Sequence, residues 1–328
     1  MLTDAQLSLE YGRRDKVAGV AGRLLAILPE RVAIAPSHAG RHPLVAVLYG
    51  AAARGGPSAR HVIEEIARLL ATRQQHDEAR MLSGRLLAIQ SQFVLPERET
   101  RNALLSPASV EEADLESSLD AHVAAVRDRM PDWWQDFASI VASYTVVEVN
   151  NTTAPRRFSG TFSEAAGAMH GAHPDNAELF AETLTHEAGH LWLNLLIDHD
   201  RTFIGNAYDN QTYLSPWRND ARPLHGIFHG MYVFSFVIPV LLALDTVTAR
   251  SRAGQLIAEA EDAIQQVVAF GILSNAAADV VAAARSRIEA LVPRLSDEEL
   301  ATQRQRYAAA KATKVTALRI QHPHFMFV

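Results

Sequence analysis

The stretch "LTHEAGHLWLN" (184–194) decides how the rest of the chain is read. It holds His186, Glu187 and His190 in the pattern H-E-x-x-H. On a helix, residues four apart lie one turn above each other, so both imidazoles face the same way and can reach one ion. Glu187 stands beside the first histidine, where it can orient or deprotonate a metal-bound water. Phe180, Leu184, Leu191 and Leu195 surround the motif. Two histidines and a glutamate on so apolar a helix are costly without partners, which argues against a solvent-facing helix with incidental histidines.

Two helical histidines need at least a third ligand. A metzincin would carry Gly at position 193 and His at 196, and this chain has Leu193 and Leu196. A downstream glutamate would complete a His₂Glu zinc site, but no glutamate occurs between Glu187 and Glu259. The downstream text instead carries "RPLHGIFHGMYVF" (222–234), with His225 and His229 again four apart. A lone histidine on an apolar helix is more often a satisfied core residue than a ligand. The pairing with the first motif favours one of them, and His229 lies deeper in the apolar run, so it is the expected third ligand, with His225 the alternative. Asp198, Asp200, Asp209 and Asp220 are fallback ligands in polar text.

Between the two histidine pairs stands "YLSPWRNDARPLHG" (213–226). Arg218 and Arg222 lie in a segment stiffened by Pro216 and Pro223, and arginine grips a carboxylate in a planar, bidentate way. The pattern suggests a carboxylate-bearing small molecule beside the ion. The bland alternative is a pair of surface arginines bound to Asp220 or Asp209.

Taken together, "ETLTHEAGHLWLNLL" (182–196) and "SPWRNDARPLHGIFHGMYVF" (215–234) resemble the HExxH-type 2-oxoglutarate-dependent peptide β-hydroxylases, tailoring enzymes of ribosomally synthesised, post-translationally modified peptides. The resemblance covers roughly residues 145–240. It implies Fe(II) held by His186, His190 and His229, with 2-oxoglutarate as cosubstrate, O₂ as oxidant and Arg218 or Arg222 on the distal carboxylate. The implied reaction is hydroxylation of a side-chain β-carbon in a precursor peptide, coupled to formation of succinate. Glu187 then becomes a group that positions a ligand or water. A zinc metallopeptidase with an atypical third ligand is the alternative, and it would need no small carboxylate. A helical scaffold with a vestigial site is a third reading, which the complete His-Glu-His set opposes.

Bulk properties agree with an enzyme of this kind. The chain has 328 residues, 48% of them hydrophobic, enough for a sizeable core. With a net charge of −6 and no basic stripe or polybasic segment, neither nucleic acid nor an anionic membrane is an expected partner. The absence of cysteine excludes disulfides, zinc ribbons, iron–sulfur clusters and thiol nucleophiles. "MLTDAQLSLEYGRRDK" (1–16) has no apolar signal-peptide core, and "MYVFSFVIPVLLALDTV" (231–247), with Pro239 and Asp245, reads as a buried core helix. A cytoplasmic location is expected.

Along the chain, residues 1 to about 92 read as helices, in "LSLEYGRRDKVAGVAGRLLAIL" (7–28), "ARHVIEEIARLLATR" (59–73) and "HDEARMLSGRLLAIQSQF" (76–93), with "RVAIA" (31–35) strand-like. Residues 93–110 read as loop and 109–130 as an acidic helix. "SYTVVEVN" (143–150) is the clearest strand, "NNTTAPRRFSGTFSE" (150–164) a loop, and "AAGAMHG" (165–171) a short edge strand around Met169 that could pair with an extended peptide. A helix over about 177–197 is expected to be capped by Asp175 or Asn176, a second to begin near Pro223, and Ala-rich helices to close the chain, the last opened by a Ser296/Glu299 capping box. The expected fold is α+β and predominantly helical, with a small central sheet beside a zincin-like HExxH metal-binding helix. Its expected regions are 1–130, helical; 131–248, the metal-binding catalytic core; and 249–328, C-terminal helices packed on that core.

Overall fold

The computed structural model describes residues 112–149, 159–161, 167–173, 176–199, 203–206 and 211–321, with 105–107 and parts of 73–90. The helices expected over 7–28 and 59–73, and the strand-like 31–35, lie outside the described residues apart from Arg73. In chain order the elements are β1 (Leu87–Gln90), β2 (Leu105–Pro107), α1 (Glu112–Arg129), α2 (Pro131–Ile140), β3 (Ser143–Val149), β4 (Ser159–Thr161), β5 (Ala168–Gly171) and α3 (Ala177–His199). There follow β6 (Thr212–Leu214), β7 (Ala221–Pro223), α4 (Leu224–Leu244), α5 (Val247–Phe270), α6 (Asn275–Leu291), a 3₁₀ turn (Val292–Arg294) and α7 (Asp297–Gln321). The protein is α+β and predominantly helical, with a small mixed sheet. By contacts it divides into two compact units, Met1–Leu195 and Leu196–Val328.

In the first unit β3 is the spine. Its β-branched and aromatic residues alternate, as a pleated strand requires. Along one edge it pairs with β1 in parallel (Leu87↔Ser143), and its C-terminal residues pair with β2 antiparallel (Leu105↔Val149). Its other edge takes β5 in parallel (Ser143↔Ala168), and β4 adds antiparallel to β5 (Gly160↔His170). Three expectations are corrected here. "LAIQ" (87–90) is a strand rather than the end of a helix, because a short apolar run suits a buried parallel strand as well as a helix, and periodicity cannot separate them. Strands β2 and β4 fall in text read as loop, since three residues are too few to show alternation. And β5 is buried between β3 and β4, so it is not an edge strand open to a peptide.

The core of this unit forms where α1 and α3 bury their apolar faces. Leu115, Leu119, Val123 and Val126 recur at helical spacing and are all buried. Phe180 of α3 is fully buried, edge-on to Tyr144 of β3 with ring centroids 5.4 Å apart, and Tyr144 Oη donates to the Ala172 carbonyl at 2.6 Å. Arg80 ties the chain before β1 to α1: it donates to the Leu86 carbonyl at 2.7 Å and pairs with Asp120 at 3.1 Å and Glu116 at 3.3 Å. Asn176 caps α3, its Oδ1 accepting from the Leu179 N–H at 2.8 Å, one of the two expected caps.

The second unit is organised around α4. Sixteen of its 21 residues are buried, including Ile227, Phe228, Met231, Val233 and Ile238. By length and composition this helix could cross a membrane, but 78% of its most apolar window is covered by the protein itself, as a core helix requires. Pro223, extended, immediately precedes its first turn, and Asp245 ends it in the left-handed conformation at φ 54°. The C-terminal text folds as the expected helices: Thr246 caps α5 and Ser274 caps α6. The capping box of α7 is present in both directions, with Glu299 Oε2 accepting from the Ser296 N–H at 2.7 Å and Ser296 Oγ accepting from the Glu299 N–H at 3.2 Å.

Arg250 of α5 also forks onto Glu299, at 2.9 and 3.0 Å. The Arg250 hydrogen bond, helped by Ser296, holds the Glu299 carboxyl down at about 2 from an ordinary 4.5. A depressed carboxylate pKa contributes stability that is present above the unfolded value and lost as pH falls through the folded one. Glu299→Gln is therefore expected to be less stable than the parent near neutral pH, with the gap closing as pH falls from 4.5 towards 2, as read by urea denaturation across that range.

Candidate metal centre and arginine hairpin

In the first unit, the middle of α3 carries the H-E-x-x-H residues. His186 and His190 are half-buried, and their Nε2 atoms converge to 3.2 Å with the rings edge-on at 79°. Two nitrogens bound to one ion at about 2.0–2.1 Å, with an angle of about 100° between them, would stand about this far apart. The pair therefore fits two positions of a metal that accepts imidazole, a class that includes iron and zinc. Among the described residues, no group of three or more His, Asp or Glu side chains is disposed to hold a metal ion.

Glu187 projects to a different neighbour. It is buried, and hydrogen bonds reach it from the side chains of Ser159 and Thr161 on β4. These residues share one face of the sheet, because they are two apart on a strand. Its Oε2 is buried with no hydrogen-bond partner among the described residues. Burial pushes the carboxyl up to about 7, against the downward pull of the two hydroxyl groups. Ser159 and Thr161 lie in text that read as loop, and only the alternation of Ser and Thr around Gly160 hinted at their role.

In the second unit, β6 and β7 form an antiparallel hairpin whose turn is "SPWRND" (215–220). Arg218 sits in the turn and Arg222 on β7: Arg218 Nε donates to Asp220 Oδ1 at 3.0 Å, and Arg222 Nε stands 2.9 Å from Oδ2 as an ion pair without hydrogen-bond geometry. Burial raises the Asp220 pKa, but the Arg218 hydrogen bond and the charges of both arginines outweigh it, so the group sits below its ordinary value. Of the two aspartates that could have engaged the arginines, Asp220 does so, and Asp209 lies outside the described residues, as does Asp200. Two guanidinium groups thus already share one carboxylate, on a half-exposed face where such pairs are weak.

The turn is clamped onto α4. Ser215 Oγ accepts from the Arg218 N–H at 3.2 Å, and the Trp217 ring lies 5.1 Å from that of Phe234. Gly230 makes room for the indole: a Cβ there would stand 2.6 Å from Trp217 Cε3. On the same helix His225 and His229 lie with ring centroids 4.0 Å apart and their planes tilted by 52°. His229 is the more buried, at 9% exposure, as its place in the apolar run suggested, and burial lowers the His225 pKa.

No protein-family model matches this chain, and no curated protein matches it.

Filling Gly230 must displace the indole. Gly230→Ala is expected to cost about 1–3 kcal/mol in urea denaturation, as overpacking does, and to shift tryptophan emission. Unchanged stability and emission would show that Trp217 does not rest on Gly230.

Proposed function

We propose that this chain is an Fe(II)- and 2-oxoglutarate-dependent oxygenase that hydroxylates a side-chain β-carbon in a ribosomally made precursor peptide. The observation that carries the proposal is the 3.2 Å convergence of His186 and His190 Nε2, which suits two ligands of one ion. The resemblance of "SPWRNDARPLHGIFHGMYVF" (215–234) to the HExxH-type peptide β-hydroxylases selects iron over zinc. It also assigns His229 as the third ligand. When bound, the iron supplies oxygen activation coupled to decarboxylation of 2-oxoglutarate to succinate.

The chain's own residues then have separate tasks. His186 and His190 bind as neutral imidazoles through Nε2. The Arg218–Arg222 pair, which already grips the carboxylate of Asp220, offers the guanidinium groups for the distal carboxylate of the cosubstrate. Glu187, held by Ser159 and Thr161, fixes a group beside His186 rather than serving as a ligand. A zinc metallopeptidase remains as a second reading on one observation: a buried carboxyl near 7, next to a metal-binding histidine, suits a general base.

Two experiments test this. His186→Ala and His190→Ala are each expected to abolish binding of one equivalent of Fe(II), measured anaerobically by metal analysis, and His229→Ala to weaken it where His225→Ala does not. Loss with His225→Ala alone would move the third ligand. Anaerobically reconstituted protein, given 2-oxoglutarate, oxygen and a candidate precursor peptide, is expected to add one oxygen to the peptide and release succinate. Zinc-dependent cleavage without 2-oxoglutarate would overturn the oxygenase in favour of the peptidase.

A further inference from the structure

The C-terminal helix α7 reads as packing from its sequence, yet one of its side chains reaches the arginine hairpin. Lys314 Nζ donates to the Pro216 carbonyl at 2.8 Å and stands 3.5 Å from the Ser215 carbonyl. Both residues are buried and immediately precede Trp217 and Arg218. Buried carbonyls need donors, and an ammonium carries three with no acceptor to satisfy in return. The carbonyls lie at the start of the turn, just beyond the last residue of β6.

The reach of Lys314 depends on how α7 lies against α5, and a polar seam sets that. Gln303 donates to Ser251 Oγ at 3.0 Å, Tyr307 Oη to Asp262 at 2.6 Å and Lys311 Nζ to Asp262 at 2.6 Å. With Lys314 these residues recur at intervals of four, four and three, one face of a helix. Asp262 also accepts from Gln266 at 3.1 Å and is itself buried. A directional seam of this kind fixes the rotation and axial register of α7 in a way that apolar contacts do not. One helical face thus carries the seam at one end and the hairpin contact at the other.

We propose that Lys314 is a positioning residue of the carboxylate site: by holding the Ser215 and Pro216 carbonyls it sets where Arg218 presents its guanidinium, and so makes α7 part of cosubstrate binding. The proposal rests on the assignment of Arg218 and Arg222 to the 2-oxoglutarate carboxylate.

The test uses the full chain loaded anaerobically with Fe(II) and measures 2-oxoglutarate affinity by calorimetry. Lys314→Met and Lys314→Gln are expected to raise the Kd roughly tenfold, as loss of a charge-assisted hydrogen bond does, with iron content unchanged and a fall in urea midpoint that Lys314→Arg reverses. Lys314→Arg, which keeps charge and donors, is expected to restore most of the affinity. In the metal-free chain, hydrogen exchange in 212–223 is expected to quicken in Lys314→Met and not elsewhere. Arg218→Ala and Arg222→Ala serve as the control. If either weakens 2-oxoglutarate binding while Lys314→Met and Lys314→Gln do not, Lys314 has no positioning role and the assignment of the site stands. If neither arginine variant weakens binding, the assignment fails and the role of Lys314 falls with it. A loss of iron and stability in parallel with affinity, not rescued by Lys314→Arg, would reduce Lys314 to a packing residue.

Discussion

A helix places residues four apart on one face about a turn from each other, and the candidate site leans on that spacing. At His186 and His190 it brings two imidazole nitrogens to 3.2 Å. Two neutral nitrogens that close repel through their lone pairs unless a proton or a cation lies between them. An N–H···N hydrogen bond between rings of opposite tautomer satisfies that separation, and two positions on one ion would satisfy it equally. The same spacing turns Glu187 a different way, towards β4, where two hydroxyl groups meet it. The histidine pair and the carboxylate are separated by helix geometry alone, before any loop contributes.

The scaffold behind this helix explains why it can be half-buried and still hold polar groups. The sheet offers α3 a face with Tyr144 and Met169 on β3 and β5, and Phe180 seals against Tyr144. At the edge, β4 replaces apolar residues with Ser159 and Thr161, so the carboxyl of Glu187 meets hydroxyl groups rather than hydrocarbon. Sheet order thus decides where polarity is tolerated. A carboxyl pushed up to about 7 is what remains when those hydroxyl groups only partly offset burial.

The arginine hairpin solves a different problem. A six-residue turn rich in polar groups would ordinarily be mobile, yet its arginines can serve a ligand only if held. Three devices act together: Trp217 over Gly230, the Ser215 hydroxyl on the turn's own backbone, and Lys314 on its carbonyls. Asp220 keeps both guanidinium groups in one place. Each device comes from a distant part of the sequence, or from a residue type with no strong motif of its own.

Much of this was legible beforehand, for local reasons. The alternation in "SYTVVEVN", the Asn176 cap, the start of α4 after Pro223 and the Ser296/Glu299 box are short-range patterns with short-range causes. The sequence by itself determined the histidine pair, because a four-residue spacing on an apolar helix admits one geometry. Only the tertiary structure decided that "LAIQ" is a strand, that β5 is interior, that Ser159 and Thr161 meet Glu187, and that Lys314 reaches Pro216. Those outcomes depend on which partner lies alongside, and pairing between residues far apart in the chain leaves no periodic trace in either of them.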